Sequence, residues 1–102
     1  MAIKKQYLKS RSICKVTFSI EENRINDYQS AFLVGDFNNW EAHVAPMKKV
    51  DNGQFSITVE LEPQKEYQFR YLLDNSIWLN EDKADSFVSS PFGDSENCLL
   101  RL

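Results

Sequence analysis

Apolar and polar side chains alternate along three segments of the chain. These segments are residues 13–20, 54–61 and 66–73. A period of two, with β-branched and aromatic residues in the apolar positions, predicts strands that bury one face and expose the other. In the third segment Phe69 and Tyr71 are expected to face the core, and the same parity then places Arg70 on the outward face.

Shorter apolar runs and turn residues complete the pattern. The runs are residues 30–34, 77–79 and 97–102, and residues 80–90 form a polar stretch that predicts a loop. The pair Asn52-Gly53 is a strong tight-turn signal, because both residues tolerate positive φ, so residues 47–50 are expected to pair with 54–61 as a hairpin. About seven short strands without an amphipathic helix predict an all-β, immunoglobulin-like β-sandwich.

The length of 102 residues predicts one domain. We expect residues 1–12 to form a polar N-terminal extension and residues 13–102 to form the sandwich.

The charge of the chain limits its partners. A net charge of -3 and a pI of about 5.1 argue against nucleic acid, whose phosphates select basic surfaces, and against adsorption to anionic membranes. A neutral ligand is the class that this charge least disfavours. No apolar run approaches the length of a membrane span, and the first ten residues lack the apolar core of a secretory signal, so a cytoplasmic location is expected.

Catalytic and metal-binding patterns are weak in this sequence. Cys14 and Cys98 lie in the predicted first and last strands, where a bridge is geometrically possible, but two buried thiols in a reducing compartment are favoured. His43 is the only histidine and has no sequence context that suggests a triad. The acidic segment 80–85 lacks the spacing and the glycine of a calcium loop and predicts a solvated loop. No enzyme activity, metal or cofactor is expected.

Several motifs in a fixed order carry a family resemblance. They are Gly35-Asp36-Phe37-Asn38-Asn39-Trp40, Pro46-Met47, the Asp51-Asn52-Gly53 turn, Tyr67-Gln68-Phe69-Arg70-Tyr71, Asp74 and Trp78. This order resembles the glycogen-binding module of AMP-activated kinase β-subunits and the N-terminal "early set" domain of isoamylases and branching enzymes, including short stand-alone bacterial members. The resemblance runs from about Ile13 to Leu102 and implies a sandwich fold, in agreement with the strand pattern.

The resemblance also implies a site for α-1,4-linked glucose chains, held by two tryptophans and a basic residue. The implied site residues are Trp40, Arg70, Trp78, Asn97 and Phe92. The other residues of the Gly35–Trp40 segment are interpreted as structural, since Asn and Asp shape turns through bonds to the backbone, and Phe37 is expected in the core.

Four of these five residues also have a purely structural interpretation. Trp40 could cap the core, Arg70 could be a solvated cross-strand charge, and Asn97 could satisfy a loop backbone. The turn before Trp78 is one residue longer than the family pattern, and a shift of one residue in a strand sends the side chain to the other face. Unless the turn or a bulge absorbs the extra residue, Trp78 points into the core.

Two functions from different classes follow from this sequence. The first is a non-catalytic module that binds glycogen- or starch-type α-glucan by aromatic stacking. The alternative is a protein-interaction or regulatory module with a degenerate sugar site, which acts as the partner of a glucan-metabolising enzyme.

Overall fold

Two antiparallel sheets pack against each other in the computed structural model, which describes residues 2–20, 28–50, 54–74, 77–89 and 96–102. The strands of these residues are β1 (Ala2–Leu8), β2 (Ile13–Ile20), β3 (Ala31–Gly35), β4 (Lys48–Lys49), β5 (Phe55–Leu61), β6 (Glu66–Leu73), β7 (Ile77–Leu79), β8 (Ser86–Ser89) and β9 (Glu96–Arg101). A short 3-10 helix, Asp36–Asn38, follows β3. The predicted all-β, immunoglobulin-like sandwich is confirmed.

The four-stranded sheet has the order β1-β2-β5-β4, and the five-stranded sheet has the order β3-β6-β9-β8, with β7 paired to β6. The predicted hairpin is present, because Lys48 pairs with Ser56 and Lys49 with Phe55. The tight turn predicted at residues 51–53 lies outside the described residues.

The core follows the alternation of the sequence. In β2 every second side chain is fully buried, and in β6 the inward residues Phe69, Tyr71 and Leu73 are buried. Phe18 of β2 packs on two of them, with ring centroids 5.1 Å from Phe69 and 6.5 Å from Tyr71. Edge-to-face contacts of this kind stabilise the packing of aromatic rings beyond the area that they bury, so these rings hold the two sheets together.

The first strand is a correction to the expected N-terminal extension. Ala2–Leu8 pairs with β2 along its whole length, so the segment 1–12 contributes an edge strand to the four-stranded sheet. Ile3 packs against the core, while the Lys5 ammonium reaches the other sheet, 2.8 Å from Asp85 Oδ2 and 2.8 Å from the Arg101 carbonyl. An inward charge on an edge strand protects that edge against pairing with other chains.

A second correction concerns the polar stretch 80–90, which contains β8 and a buried carboxylate. Val88 pairs with Asn97 and Ser86 with Leu99. With β1 and β8, the described residues contain two more strands than the seven that the sequence predicts. Glu81, expected in a solvated loop, is completely buried. Cys14 in β2 and Cys98 in β9 are buried, free thiols.

Candidate functional site

The outward face of β6 carries the residues around which the candidate site is built. Gln68, Arg70 and Leu72 alternate with buried Phe69 and Tyr71, as the sequence predicts. Leu72 is only 4% exposed and does not belong to the inter-sheet core cluster. The outward face of this sheet therefore has an apolar layer of its own beneath its polar side chains.

Trp78 lies on this same outward face. It pairs directly with Leu72 across β6 and β7, and paired residues of neighbouring strands share a face. Its side chain is 44% exposed, so the alternative in which the longer turn sends Trp78 into the core is wrong. Residues 75–76 of that turn lie outside the described residues.

Arg70 contacts the Trp78 ring directly. The guanidinium carbon lies 5.4 Å from the centre of the ring, over its face, which is the geometry of a cation–π contact. On the β3 edge Arg70 is opposite Val34, so its partner on that edge is not an acidic residue. Arginine is suited to this arrangement, since its planar guanidinium stacks on aromatic faces.

Asn80 completes this cluster and was missed by the sequence analysis. Its side-chain oxygen accepts a hydrogen bond of 2.9 Å from Arg70 Nε, and its amide nitrogen donates to the Glu96 carbonyl at 3.0 Å. The available signal was parity, since Asn80 follows Trp78 by two positions in an extended segment. The half-buried Arg70 and Asn80 side chains and the exposed Trp78 ring thus form one cluster.

Glu81 fixes the backbone directly behind Asn80. Its carboxylate accepts a bond of 2.7 Å from the Tyr71 hydroxyl and one of 2.9 Å from the Lys83 amide. Its own amide donates to Cys98 Sγ at 3.1 Å. Burial raises the pKa of the Glu81 carboxyl above its usual range, although the bonds from Lys83 and Tyr71 oppose this shift.

Trp40 is held next to the same strand by Asp36. The indole Nε1 donates to Asp36 Oδ1 at 2.9 Å, and the other carboxylate oxygen accepts the Gln68 amide at 2.8 Å. Trp40 is half-buried and lies outside the inter-sheet core cluster, which argues against a core-capping role. Its φ of 59° is unusual for a bulky residue, and such strain persists only where the surroundings impose it.

The rest of the Gly35–Trp40 segment forms the turn, as predicted. Asn38 accepts from the Gly35 amide at 3.0 Å and donates to the Leu33 carbonyl at 2.9 Å, and Phe37 packs against the core. A Cβ on Gly35 would lie 2.5 Å from the Gln68 carbonyl oxygen. Glycine is needed here because β6 approaches the backbone too closely for any side chain.

Asn97 is buried, and its amide nitrogen donates to Gln68 Oε1 at 3.1 Å. This partner is a side chain of β6. Phe92, the remaining candidate, lies outside the described residues.

The structure therefore arranges the predicted residues in two groups along β6. Trp40 and Asn97 are both linked to Gln68, directly or through Asp36, while Arg70 and Trp78 contact each other. Trp40 is linked to Gln68 through Asp36, and Trp78 pairs with Leu72. These two positions of β6 are roughly 13 Å apart at the rise of an extended strand. An extended ligand could contact both groups.

Within the part of the chain that the structure describes, the other chemistry-bearing residues do not assemble into a metal site. His43 is exposed and packs edge-to-face on Phe32, with ring centroids 4.8 Å apart. Across the five described ranges, no three His, Cys, Asp or Glu side chains gather closely enough to hold a metal ion. In the same ranges, no helix has both the length and the apolar character needed to cross a membrane.

Comparison with protein families gives one match. The model for carbohydrate-binding module 48, described as the isoamylase N-terminal domain, matches residues 28–93. The matched range is well over half of the chain and includes Trp40, Arg70, Trp78 and Phe92, whereas Asn97 follows it. No curated protein matches the chain.

Proposed function

Since the chain belongs to the carbohydrate-binding module 48 family, we propose that it binds α-1,4-glucan chains of the glycogen or starch type without acting on them. The proposed ligand surface is the outward face of the five-stranded sheet. One observation carries the proposal: Trp78 lies exposed on that face with Arg70 against its ring. A module of this family with an exposed aromatic plate and a charged donor has the parts that sugar recognition needs.

The indole ring supplies most of the proposed binding energy. A sugar ring has an apolar C–H face that can lie flat on an indole, and burying roughly 100 Å² of apolar surface is worth on the order of 2–3 kcal/mol. An exposed large aromatic side chain is compatible with such a role, because binding sites account for many exposed apolar patches. Trp40 is the second plate in this proposal. Two plates, less the ordering of a flexible chain, suggest dissociation constants between roughly 10 μM and 1 mM.

Arg70 supplies direction in this proposal. A guanidinium has five N–H donors, and sugar hydroxyls accept as well as donate hydrogen bonds. Asn80 engages only the Nε donor, so the terminal nitrogens are not engaged by that bond. Asn97 is committed to Gln68 through its amide nitrogen, and we therefore assign it a supporting role behind the surface.

Isothermal titration calorimetry with maltoheptaose and β-cyclodextrin tests the proposal. We expect binding in the stated range and a change in tryptophan fluorescence, both lost in Trp78→Ala. Tyr7→Ala is the matched control, because Tyr7 is an exposed aromatic residue on β1 in the other sheet. The proposal fails if the wild-type protein gives neither heat nor a fluorescence change at millimolar ligand.

We infer that a glucan-metabolising enzyme is the partner class, since the family description names the N-terminal domain of isoamylase. A pull-down from a source lysate, with and without added glycogen, tests this inference. Capture that depends on glycogen supports a module that binds the same glucan chain as the enzyme. Capture of the same enzyme without glycogen, together with no heat in the titration, supports the interaction module with a degenerate sugar site.

A further inference from the structure

The hydrogen-bond ladder along one edge of β6 changes partner at Arg70. β3 pairs with residues 69–73 of β6, while β9 pairs with residues 66–69 and β7 with residues 71–73. A strand has two edges, and both β7 and β9 overlap β3, so these two strands must use the same edge in succession. Arg70 is the residue between them, where neither β7 nor β9 pairs with β6.

Asn80 spans this break in the ladder. It follows the last residue of β7 and bonds to Glu96, the first residue of β9, and to Arg70 on β6. One amide thereby connects the three strands that meet at the break. Because its oxygen accepts from Arg70 and its nitrogen donates to Glu96, the orientation of the amide is fixed by its two partners.

We propose that Asn80 is a positioning residue that holds the Arg70 guanidinium over the Trp78 ring and so preorganises the glucan surface. This inference rests on the proposed function and deepens it.

Preorganisation matters here because arginine is a flexible side chain. A free arginine has about 2 kcal/mol of rotamer entropy to lose when a ligand immobilises it. A bond at Nε orders the side chain before the ligand arrives and fixes the plane of the guanidinium. Rigid presentation of a contact group raises affinity by reducing this ordering penalty.

The backbone that carries Asn80 is held in place by the next residue. Glu81, the next residue, is fully buried and bonds to Tyr71, Lys83 and Cys98. A side chain whose neighbour is anchored in the core is presented more accurately than one in a solvated loop. The buried Glu81 carboxylate therefore fixes the backbone, and the half-buried Asn80 amide fixes Arg70.

Calorimetry on the full chain with β-cyclodextrin tests the inference. We expect Asn80→Ala to weaken binding roughly fivefold to tenfold, which corresponds to the net contribution of one ordinary hydrogen bond. Asn80→Asp keeps an acceptor for Arg70 Nε and should weaken binding less. Gln6→Ala, which removes an exposed amide from β1 in the other sheet, is the matched control.

A double-mutant cycle separates positioning from a general structural effect. If Asn80 acts through Arg70, Asn80→Ala should have no further effect in an Arg70→Ala background. The same relative loss in both backgrounds would overturn the inference, as would wild-type affinity in Asn80→Ala. If the wild-type protein itself does not bind, the proposed function fails rather than this inference alone.

A readout without ligand keeps the inference testable if the affinities are too weak to compare. The Nε–Hε group of Arg70 should give a resolved, slowly exchanging nitrogen-15 NMR signal in the wild-type protein, assigned by its loss in Arg70→Ala. We expect Asn80→Ala to accelerate its exchange and Asn80→Asp to restore protection. Equal exchange in all three proteins would contradict the positioning role.

Discussion

The guanidinium of Arg70 lies over the ring of Trp78, 5.4 Å from its centre, on the outward face of the five-stranded sheet. One face of the indole is therefore in contact with a cation, and a sugar can stack only on the other face or along the exposed edge. The bond at Nε does not neutralise the positive charge of Arg70, because its partner is the neutral amide of Asn80. The relationship between the two side chains thus limits where a ligand can approach.

Replacing Arg70 by lysine tests the value of the planar group. Lysine keeps the charge but is a mobile point donor that cannot reproduce the stacked, bidentate geometry of arginine. We expect Arg70→Lys to weaken maltoheptaose binding by roughly threefold to tenfold and to change the free energy of unfolding by less than about 1 kcal/mol, as at other partly exposed sites. Calorimetry and urea unfolding measure both quantities. Tighter binding by the lysine variant would show that the stacked arginine obstructs the surface.

Replacing Trp40 tests whether the second plate exists. Trp40 lies outside the inter-sheet core cluster, so we expect Trp40→Ala to abolish measurable binding while the far-UV circular dichroism spectrum stays that of the wild type. Its φ of 59° favours glycine over alanine by about 0.5–1 kcal/mol. Trp40→Gly should therefore be more stable than Trp40→Ala in urea and equally unable to bind. Unfolding of both variants would assign Trp40 to the core.

The ion pair between Lys5 and Asp85 should make the protein sensitive to acid. Burial alone would raise the pKa of Asp85, but hydrogen bonds from Lys5 and the Arg101 amide, with their charges, lower it below 3.8. A carboxyl with a lowered folded pKa contributes stability above its unfolded pKa, and this stability is lost as the pH falls through the folded value. Asp85→Asn should remove this part of the acid dependence.

The size of this effect is limited by exposure. The two side chains are 26% and 31% exposed, so we expect the pair to contribute about 1 kcal/mol or less, with a decrease at high salt. Thermal unfolding of the wild type and Asp85→Asn between neutral pH and pH 2 measures the difference. A constant difference across that range would contradict the assignment.

Glu81 should have the opposite pH dependence. Burial raises the pKa of its carboxyl above 4.5, so its contribution to stability is fully present below the unfolded pKa and is lost as the pH rises through the folded value. Glu81→Gln cannot ionise, and the stability of this variant relative to the wild type should therefore rise with pH across this window. Urea unfolding at a series of pH values from 4 to 8 measures this trend. The reverse trend would mean that the carboxylate is better solvated than its burial indicates.

Cys98 should be unreactive in the folded protein. Burial raises the pKa of its thiol to about 11, and the thiolate is the reactive form. We expect alkylation by iodoacetamide at pH 8 to follow unfolding and to accelerate in urea in proportion to the unfolded fraction. Cys14→Ser isolates the signal of Cys98, and rapid labelling of this variant in native buffer would contradict the prediction.

The alternation in the sequence predicts those strands whose buried and exposed faces can be recognised from their own residues. β2, β5 and β6 follow directly from it, and so does the outward position of Arg70. β1 and β8 do not, because they form by pairing with β2 and β9 and neither has a regular apolar alternation in its own sequence. A lysine that points toward the other sheet looks, in the sequence, like a residue of a solvated tail.

The candidate site shows the same limit. The motifs select Trp40, Arg70 and Trp78. The length of the turn does not determine the sheet face on which Trp78 lies, whereas its pairing with Leu72 does. Asn80 has no motif, since its role depends on where β7 ends and β9 begins. Residues defined by the junction of strands cannot be identified from any one of those strands.

The brevity of β7 has a consequence for how this surface can change over evolution or in the laboratory. Trp78 is carried by three residues, Ile77–Leu79, between a turn and the anchored Glu81, while the rings of the core lie on longer strands. Substitutions at Ile77 and Trp78, whose side chains are exposed, can change the aromatic plate without disturbing the sandwich, whereas Leu79 packs against the core. Libraries confined to Ile77 and Trp78 should therefore yield folded proteins that differ in their affinity for the proposed glucan ligand.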